Sequence, residues 1–336
     1  MRKIDVYPHI LPPRYFAKLR DTVTGRAAQN IRKRVLNIPA IYDLDVRFSV
    51  MDAFDEYQQV LTLASPPIES LGTVETSRDL ARLANDELAG LVARHPDRFV
   101  GFAASLPMSD PEAAVAEATR AIEELGALGV QMHTHVNGKA LDAPELEPIF
   151  AAVAHAGRTV WLHPGRHSQW ADYPTEDHSK YEIWWLFGWP YETAVCMARL
   201  VFSGLLDRFP DLKLLTHHGG GITPQCAGRL AAGMDQYGSR TLPEEGPIEH
   251  GLQGRPVDYF KRFFGDTAMF GSRDALVASL AFFGADHILF GTDMPFDPER
   301  GPGFIRASID DLGALDMSAE DLEKIYSANA IKLLGI

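Results

Sequence analysis

Four residues far apart in the chain share one setting: His9, His163, His218 and Asp293 each lie at the end of a short apolar run. The runs are IDVYPHI, TVWLH, LKLLTHH and ILFGTD. Imidazole nitrogens and carboxylate oxygens are the donors that zinc and similar divalent ions take. The same groups move protons at neutral pH, since an unperturbed imidazole titrates near ~6.5. A single histidine in such a place is more often structural. Four comparable positions together point to a metal or acid-base site. The first strand carries a departure: Tyr7 and His9 have the spacing of a metal-binding H-x-H, but the first member is a tyrosine. A neutral phenol with a pKa near ~10 is a poor ligand, so packing at the site is the expectation for Tyr7.

Alternating elements must bring these residues together. IDVYPHI, QQVLTLAS, FVGFAASLP, GVQMHTHV, TVWLHPG, LKLLTHH and DHILFGTDMPF read as strands. Between them, SRDLARLANDELAGLVARHPDRF, PEAAVAEATRAIEELGAL, ELEPIFAAVAHAG, YETAVCMARLVFSGLLDRFP and DALVASLAFFG have helical spacing. The closing helix begins at Ser318, with Asp321 completing a start like a capping box. Roughly eight alternations over 336 residues favour a (β/α)8 TIM barrel over an open sheet. Strand ends converge at the carboxyl-terminal mouth of such a barrel. No linker is evident, and residues 1–336 read as one domain with an aromatic-rich insert at about 166–190. Trp184, Trp185, Phe187 and Trp189 within it suggest a flap lining a flat apolar pocket, with Trp185 the first choice for substrate contact. Gly219, Gly220 and Gly221 lack the rest of a nucleotide fingerprint and read as a permissive turn.

Composition narrows the partners. With 45 acidic against 32 basic residues the formal charge is −13, which disfavours a nucleic-acid surface or an anionic membrane. A small anion remains compatible, because one local arginine suffices to hold it. Cys196 and Cys226 sit in apolar stretches and read as buried thiols without a disulfide framework. The N-terminus shows neither signal peptide nor membrane anchor, so a reduced cytoplasmic setting is expected.

The chain resembles the metal-dependent amidohydrolase superfamily, and within it the branch of aminocarboxymuconate-semialdehyde decarboxylase with the 2,6-dihydroxybenzoate and 5-carboxyvanillate decarboxylases. The resemblance runs nearly end to end through IDVYPHILP, THVNGKALDAPELEPIFAAV, WLHPG, WLFGWPYETAVCMARLVFSGLLDRFPDLKLLTHHGGG, DTAM, GTDMPF and NAIKLLG. It implies one divalent metal, zinc before manganese, held by His9, His163 and Asp293 and completed by water or substrate. It implies His218 as the proton-handling residue beside Asp293, with His217 facing the other way on a regular strand in a structural or supporting role. Arg47, in DLDVRFSVMD, corresponds to an arginine that binds a carboxylate; Arg229, in QCAGRL, corresponds to one that reaches a neighbouring subunit's site. A homodimer is therefore implied. Without the resemblance, these two arginines read equally well as surface charges. His135, in THVNG, is assigned a structural or supporting place. The implied reaction is non-oxidative decarboxylation of an aromatic or conjugated carboxylic acid. The enzymatic alternative is a metal-dependent hydrolase or hydratase, with His218 as general base. A binding or structural protein with a degraded barrel site is the third reading; Tyr7 is its best support, and the intact His9, His163, His218 and Asp293 with Arg47 argue against it.

Overall fold

The computed structural model describes residues 1–247 and 249–336, without the side chains of 26–28, 30 and 32. Strands β1 (Lys3–Asp5) and β2 (His9–Ile10) form the first stave. They are followed by β3 (Tyr57–Leu63), β4 (Phe99–Ser105) and β5 (Gly129–His133). A short antiparallel hairpin, β6 (His135–Val136) with β7 (Lys139–Ala140), leads on to β8 (Thr159–His163). The last staves are β9 (Lys213–Thr216), β10 (Gly265–Asp266) and β11 (Ile288–Leu289).

Both parts of the first stave pair in parallel with β3, and the sheet continues through β4, β5, β8 and β9. β10 pairs in parallel with β11. Isolated backbone bonds close the circle. The Thr216 N–H donates to the Phe264 carbonyl at 2.8 Å, and the Val6 N–H donates to the Phe290 carbonyl at 2.9 Å. The result is the expected parallel TIM barrel of eight staves.

Two-residue alternation divides the strand side chains between barrel interior and helical shell. On β8, Trp161 packs with Val60, Ala103, Leu215 and Leu289 inside, whereas Val160 and Leu162 join the outer cluster. Trp161 Nε1 donates to the Val6 carbonyl at 3.0 Å, crossing from the fifth stave to the first. The shell helices start where side-chain oxygens satisfy free N–H groups. Thr73 Oγ1 accepts from the Thr76 N–H at 3.1 Å, and Ser318 Oγ from the Asp321 N–H at 3.0 Å, the latter as the sequence suggests.

Between β2 and β3 the chain inserts the helices Pro13–Thr22, Gly25–Val35 and Leu44–Met51. Tyr15, Phe16 and Leu19 of the first pack on Leu80, Ala81 and Ala84, beside Leu63 and Ala64 at the end of β3. This apolar contact seats the insertion next to the barrel mouth. Among the described residues, no helix is long and apolar enough to cross a membrane. Cys196 is buried and Cys226 half-buried, both as free thiols.

Candidate active site

The strand ends bring four imidazoles and one carboxylate together: His9, His163, His217, His218 and Asp293. Backbone bonds fix the first stave against the last. The His9 N–H donates to the Met294 carbonyl at 2.7 Å, and the Asp293 N–H to the Tyr7 carbonyl at 3.1 Å. Every imidazole has its Nδ1 engaged. Thr62 Oγ1 donates its one hydrogen to the Pro8 carbonyl at 2.7 Å, so toward His9 Nδ1, at 3.1 Å, it acts as acceptor. His163 Nδ1 meets the Pro164 carbonyl at 2.7 Å, His218 Nδ1 the Ala268 carbonyl at 2.9 Å, and His217 Nδ1 the Asp266 carboxylate at 2.5 Å. Carbonyl and carboxylate oxygens only accept, so each Nδ1 carries hydrogen and each neutral ring presents Nε2 as a lone pair.

These Nε2 atoms converge. His9 Nε2 lies 3.1 Å and His217 Nε2 3.4 Å from Asp293 Oδ1. Both nitrogens are buried and make no well-directed hydrogen bond. The donor atoms of His9, His163 and His217 lie within 4.8 Å of one another, as do those of His217, His218 and Asp293. Burial pushes the His9 and His163 imidazoles below their usual range. It also lowers His218, to about 4, with the neighbouring His217 adding to the effect. Burial acts on His217 the same way, but the Asp266 and Asp293 carboxylates outweigh it and carry His217 up to about 9. Asp293 would be raised by burial, yet His217 and His9 hold it well below the usual carboxylate range.

The arrangement of His217 and His218 departs from a regular strand. β9 ends at Thr216, and His217 continues the inward parity of Leu215. His218 then adopts a left-handed backbone, φ 52°, instead of alternating outward. Consecutive rings therefore stack on one side, with centroids 3.7 Å apart. This corrects the expectation that His217 faces away, because the strand has already turned at this point. Asp293 is also left-handed, φ 62°, and non-glycine residues in this region gather at functional sites. The following glycines form the expected turn, with positive φ throughout. A Cβ on Gly221 would lie 2.4 Å from the Pro190 carbonyl oxygen, so this position admits only glycine.

Tyr7 is buried against the cluster. Its ring lies 3.9 Å from that of His217 at 14°, and its hydroxyl has no partner. Arg47 is fully buried behind His9. Its Nε donates to Gln59 Oε1 at 2.8 Å, and its Nη1 to the carbonyls of His9 at 2.8 Å and Ala40 at 3.2 Å. Nη2 is buried without a partner. The reading of Arg47 as a surface charge is thereby removed.

The aromatic insert contributes a different indole from the one expected. Trp185 is 37% exposed, with Nε1 donating to Glu182, whereas Trp189 stands edge-on to His163 at 5.5 Å. The short helix Ile183–Leu186 turns Trp185 outward, and Trp189, on the next helix Gly188–Phe202, packs inward against Trp184. Arg229 is exposed at the start of Arg229–Gly233. His135 packs on Trp170 away from the central cluster, with Nδ1 accepting from the Gly138 N–H at 3.2 Å.

Two features escape sequence reading. Arg34, in the inserted helix, places its guanidinium 5.9 Å from the Trp189 ring and 5.5 Å from the Phe296 ring. Phe296 itself lies 5.5 Å from His9, so Arg34 overlies the mouth. Its basic stretch, RKR, resembles any solvated helix face and carries no strand-end signal. A small, mostly apolar recess adjoins His163 through His133, which stands 5.0 Å away and meets Ser65 Oγ at 3.2 Å. Glu69 lines the same recess; burial pushes its carboxyl up to about 7.

The chain matches the amidohydrolase family over residues 4–336. It is 29% identical to 2-amino-3-carboxymuconate-6-semialdehyde decarboxylase of Dictyostelium discoideum, over 99% of this chain and 92% of that protein. Gamma-resorcylate decarboxylase of Rhodococcus jostii strain RHA1 is 30% identical, over 99% of this chain and 98% of its own. A dihydroxybenzoic acid decarboxylase from Polaromonas sp. JS666, solved with bound manganese and the inhibitor 2-nitroresorcinol, superposes with a TM-score of 0.77. That structure shares 28% identity and covers 99% of this chain and 97% of its own.

Proposed function

The chain belongs to the amidohydrolase family, and from that premise we propose that it is a metal-dependent carboxy-lyase acting on an aromatic or conjugated carboxylic acid. The observation that carries this reading is the convergence of the buried His9 and His217 imidazoles on Asp293, with His163 alongside, beneath an indole and a guanidinium. His9, His163 and Asp293 are the proposed ligands of a single divalent ion. The fit rests on their chemistry: His9 Nε2 is buried without a hydrogen-bond partner, which is costly unless an electrophile meets it, and the donor atom of His163 lies within 4.8 Å of it. When bound, the ion supplies fixed positive charge that grips substrate oxygens and stabilises the electron pair released on the ring. Imidazole suits zinc, while carboxylate donors also suit manganese, the ion held by the Polaromonas enzyme. Loading with each ion in turn identifies the one that supports turnover.

The protein's own groups account for the remaining steps. Trp189 offers a flat wall for an arene, and Arg34 and the free Nη2 of Arg47 offer cations for its carboxylate. His218 Nε2 accepts a substrate hydroxyl proton and returns it to the carbon that bears the carboxylate. The carbon–carboxylate bond then breaks, its electron pair restores the ring, and CO2 leaves. The product leaves as the phenolate and regains its hydroxyl proton from solvent, so the net change replaces the carboxylate with hydrogen, and no oxidant is consumed.

A homodimer is part of the proposal. Tyr181, Leu186, Phe187 and Tyr191 are exposed on the insert. The Ile222 N–H donates to the Pro190 carbonyl at 3.3 Å, which brings exposed Ile222 and the segment leading to Arg229 alongside. Apolar side chains gathered in this way mark an interaction surface, and across it Arg229 would enter a neighbour's site.

The deciding experiment incubates metal-loaded protein with a panel of hydroxybenzoates and muconate-type acids and follows CO2 and product mass. CO2 release with a product lacking the carboxyl group is expected. Gain of one water without CO2 would instead identify a hydratase.

A further inference from the structure

We infer that His217 is itself a metal ligand and takes the coordination place that Tyr7 leaves open, so that His9, His163, His217 and Asp293 hold the ion together. The inference rests on the metal-dependent reading above and changes the identity of the donors.

Three independent features of His217 support it. The first is aim. Its Nε2 is fully buried, lacks a hydrogen-bond partner, and lies 3.4 Å from Asp293 Oδ1. Its donor falls within 4.8 Å of those of His9 and His163. His218 is only half-buried, with its Nδ1 on the Ala268 carbonyl, whereas Asp293 Oδ1 lies 3.1 Å from His9 Nε2. His218 is thereby left for proton transfer.

The second feature is support from behind. His217 Nδ1 meets Asp266 Oδ2 at 2.5 Å, and Asp266 Oδ1 accepts from the N–H groups of Gly219 at 3.1 Å and Ala268 at 3.2 Å. A carboxylate anchored by backbone that grips the outer nitrogen of an imidazole is the arrangement that orients metal-binding histidines. His9 and His163 have equivalent outer partners in Thr62 and the Pro164 carbonyl. The three rings are thus prepared in the same manner.

The third is the role left to Tyr7. Its ring lies flat on His217, 3.9 Å away at 14°. It backs the imidazole as a packing surface, where a histidine in the H-x-H pattern would supply a donor. The loss of one donor on the first stave and the appearance of another after the sixth are then one change.

Mn2+-loaded full-length protein provides a direct test, because electron spin-echo spectroscopy counts imidazole nitrogens bound to the ion. Three are expected in the unmodified protein, and two would overturn the inference. H217Q is expected to show two and to bind Mn2+ at least tenfold more weakly by calorimetry. Y7F is expected to keep three, with less than a threefold change in affinity. D266N, which removes only the anchoring charge, should weaken binding about 10–100-fold and serves if H217Q does not fold. Binding that H163A abolishes but H217Q leaves intact sinks this inference alone. If the unmodified protein takes up neither Mn2+ nor Zn2+, the metal-dependent reading fails as a whole.

Discussion

Single side chains at this site divide the work according to their hydrogen-bond partners. His218 has its Nδ1 on the Ala268 carbonyl, leaving Nε2 for the proposed proton transfer. H218N should therefore lower kcat by about 10²–10⁴-fold while metal content, measured by mass spectrometry, stays at the unmodified level. Arg34 acts at a different stage. Held over Trp189 and Phe296, it is placed to meet the carboxylate of the proposed substrate as it binds. A hydrogen bond to a charged group is worth about 1.5–3 kcal/mol, so R34A should raise KM roughly ten- to hundredfold with a smaller change in kcat. Equal losses in kcat and in kcat/KM would place Arg34 in the transition state only. Steady-state kinetics on one accepted acid distinguish the outcomes.

At the scale of elements, the glycine turn after β9 is the part most sensitive to substitution. Gly221 has φ 61° and ψ −127°, and a Cβ there would press on the Pro190 backbone. G221A should cost about 2–4 kcal/mol, read as a fall in thermal midpoint, and should weaken metal binding because the same turn sets His217 and His218. The elements also explain what the sequence could disclose. Apolar runs ending in His9, His163, His218 and Asp293 are visible because strand alternation and the barrel mouth impose a pattern on residue order. His217 escapes the pattern because alternation holds only while a strand stays regular, and φ 52° at His218 is a backbone choice with no side-chain signature. The insert's aromatic character was legible, but whether Trp185 or Trp189 turned inward depended on the break between two helices. Arg34 is invisible for a related reason: its helix, Gly25–Val35, is seated by Ile31 and Val35 in the apolar cluster of Tyr15, Phe16, Leu19, Leu80 and Ala84.

For the molecule as a whole, the exposed aromatics of the insert set an expectation about assembly. Light scattering should give a dimer mass, and F187D with Y191D should give monomers that have lost turnover if Arg229 acts across the interface. Stability should also depend on pH through Glu69. Burial raises this carboxyl from 4.5 to about 7. Its contribution is therefore complete below the unfolded value and disappears as pH rises through the folded one. The effect is on the order of 2–3 kcal/mol, and E69Q should flatten the decline between pH ~5 and ~7 in denaturant titrations. The girder formed by Trp161 has a consequence for traffic. With its indole tied across to Val6 and packed among Val60, Leu215 and Leu289, the barrel is plugged one layer below His163. An acid reaching His163 from the mouth would therefore have no through-route, and on the proposed reaction it and its product would share the side where Arg34 lies over Trp189 and Phe296. Competitive inhibition by the decarboxylated product is the expected outcome, read from initial rates with added product.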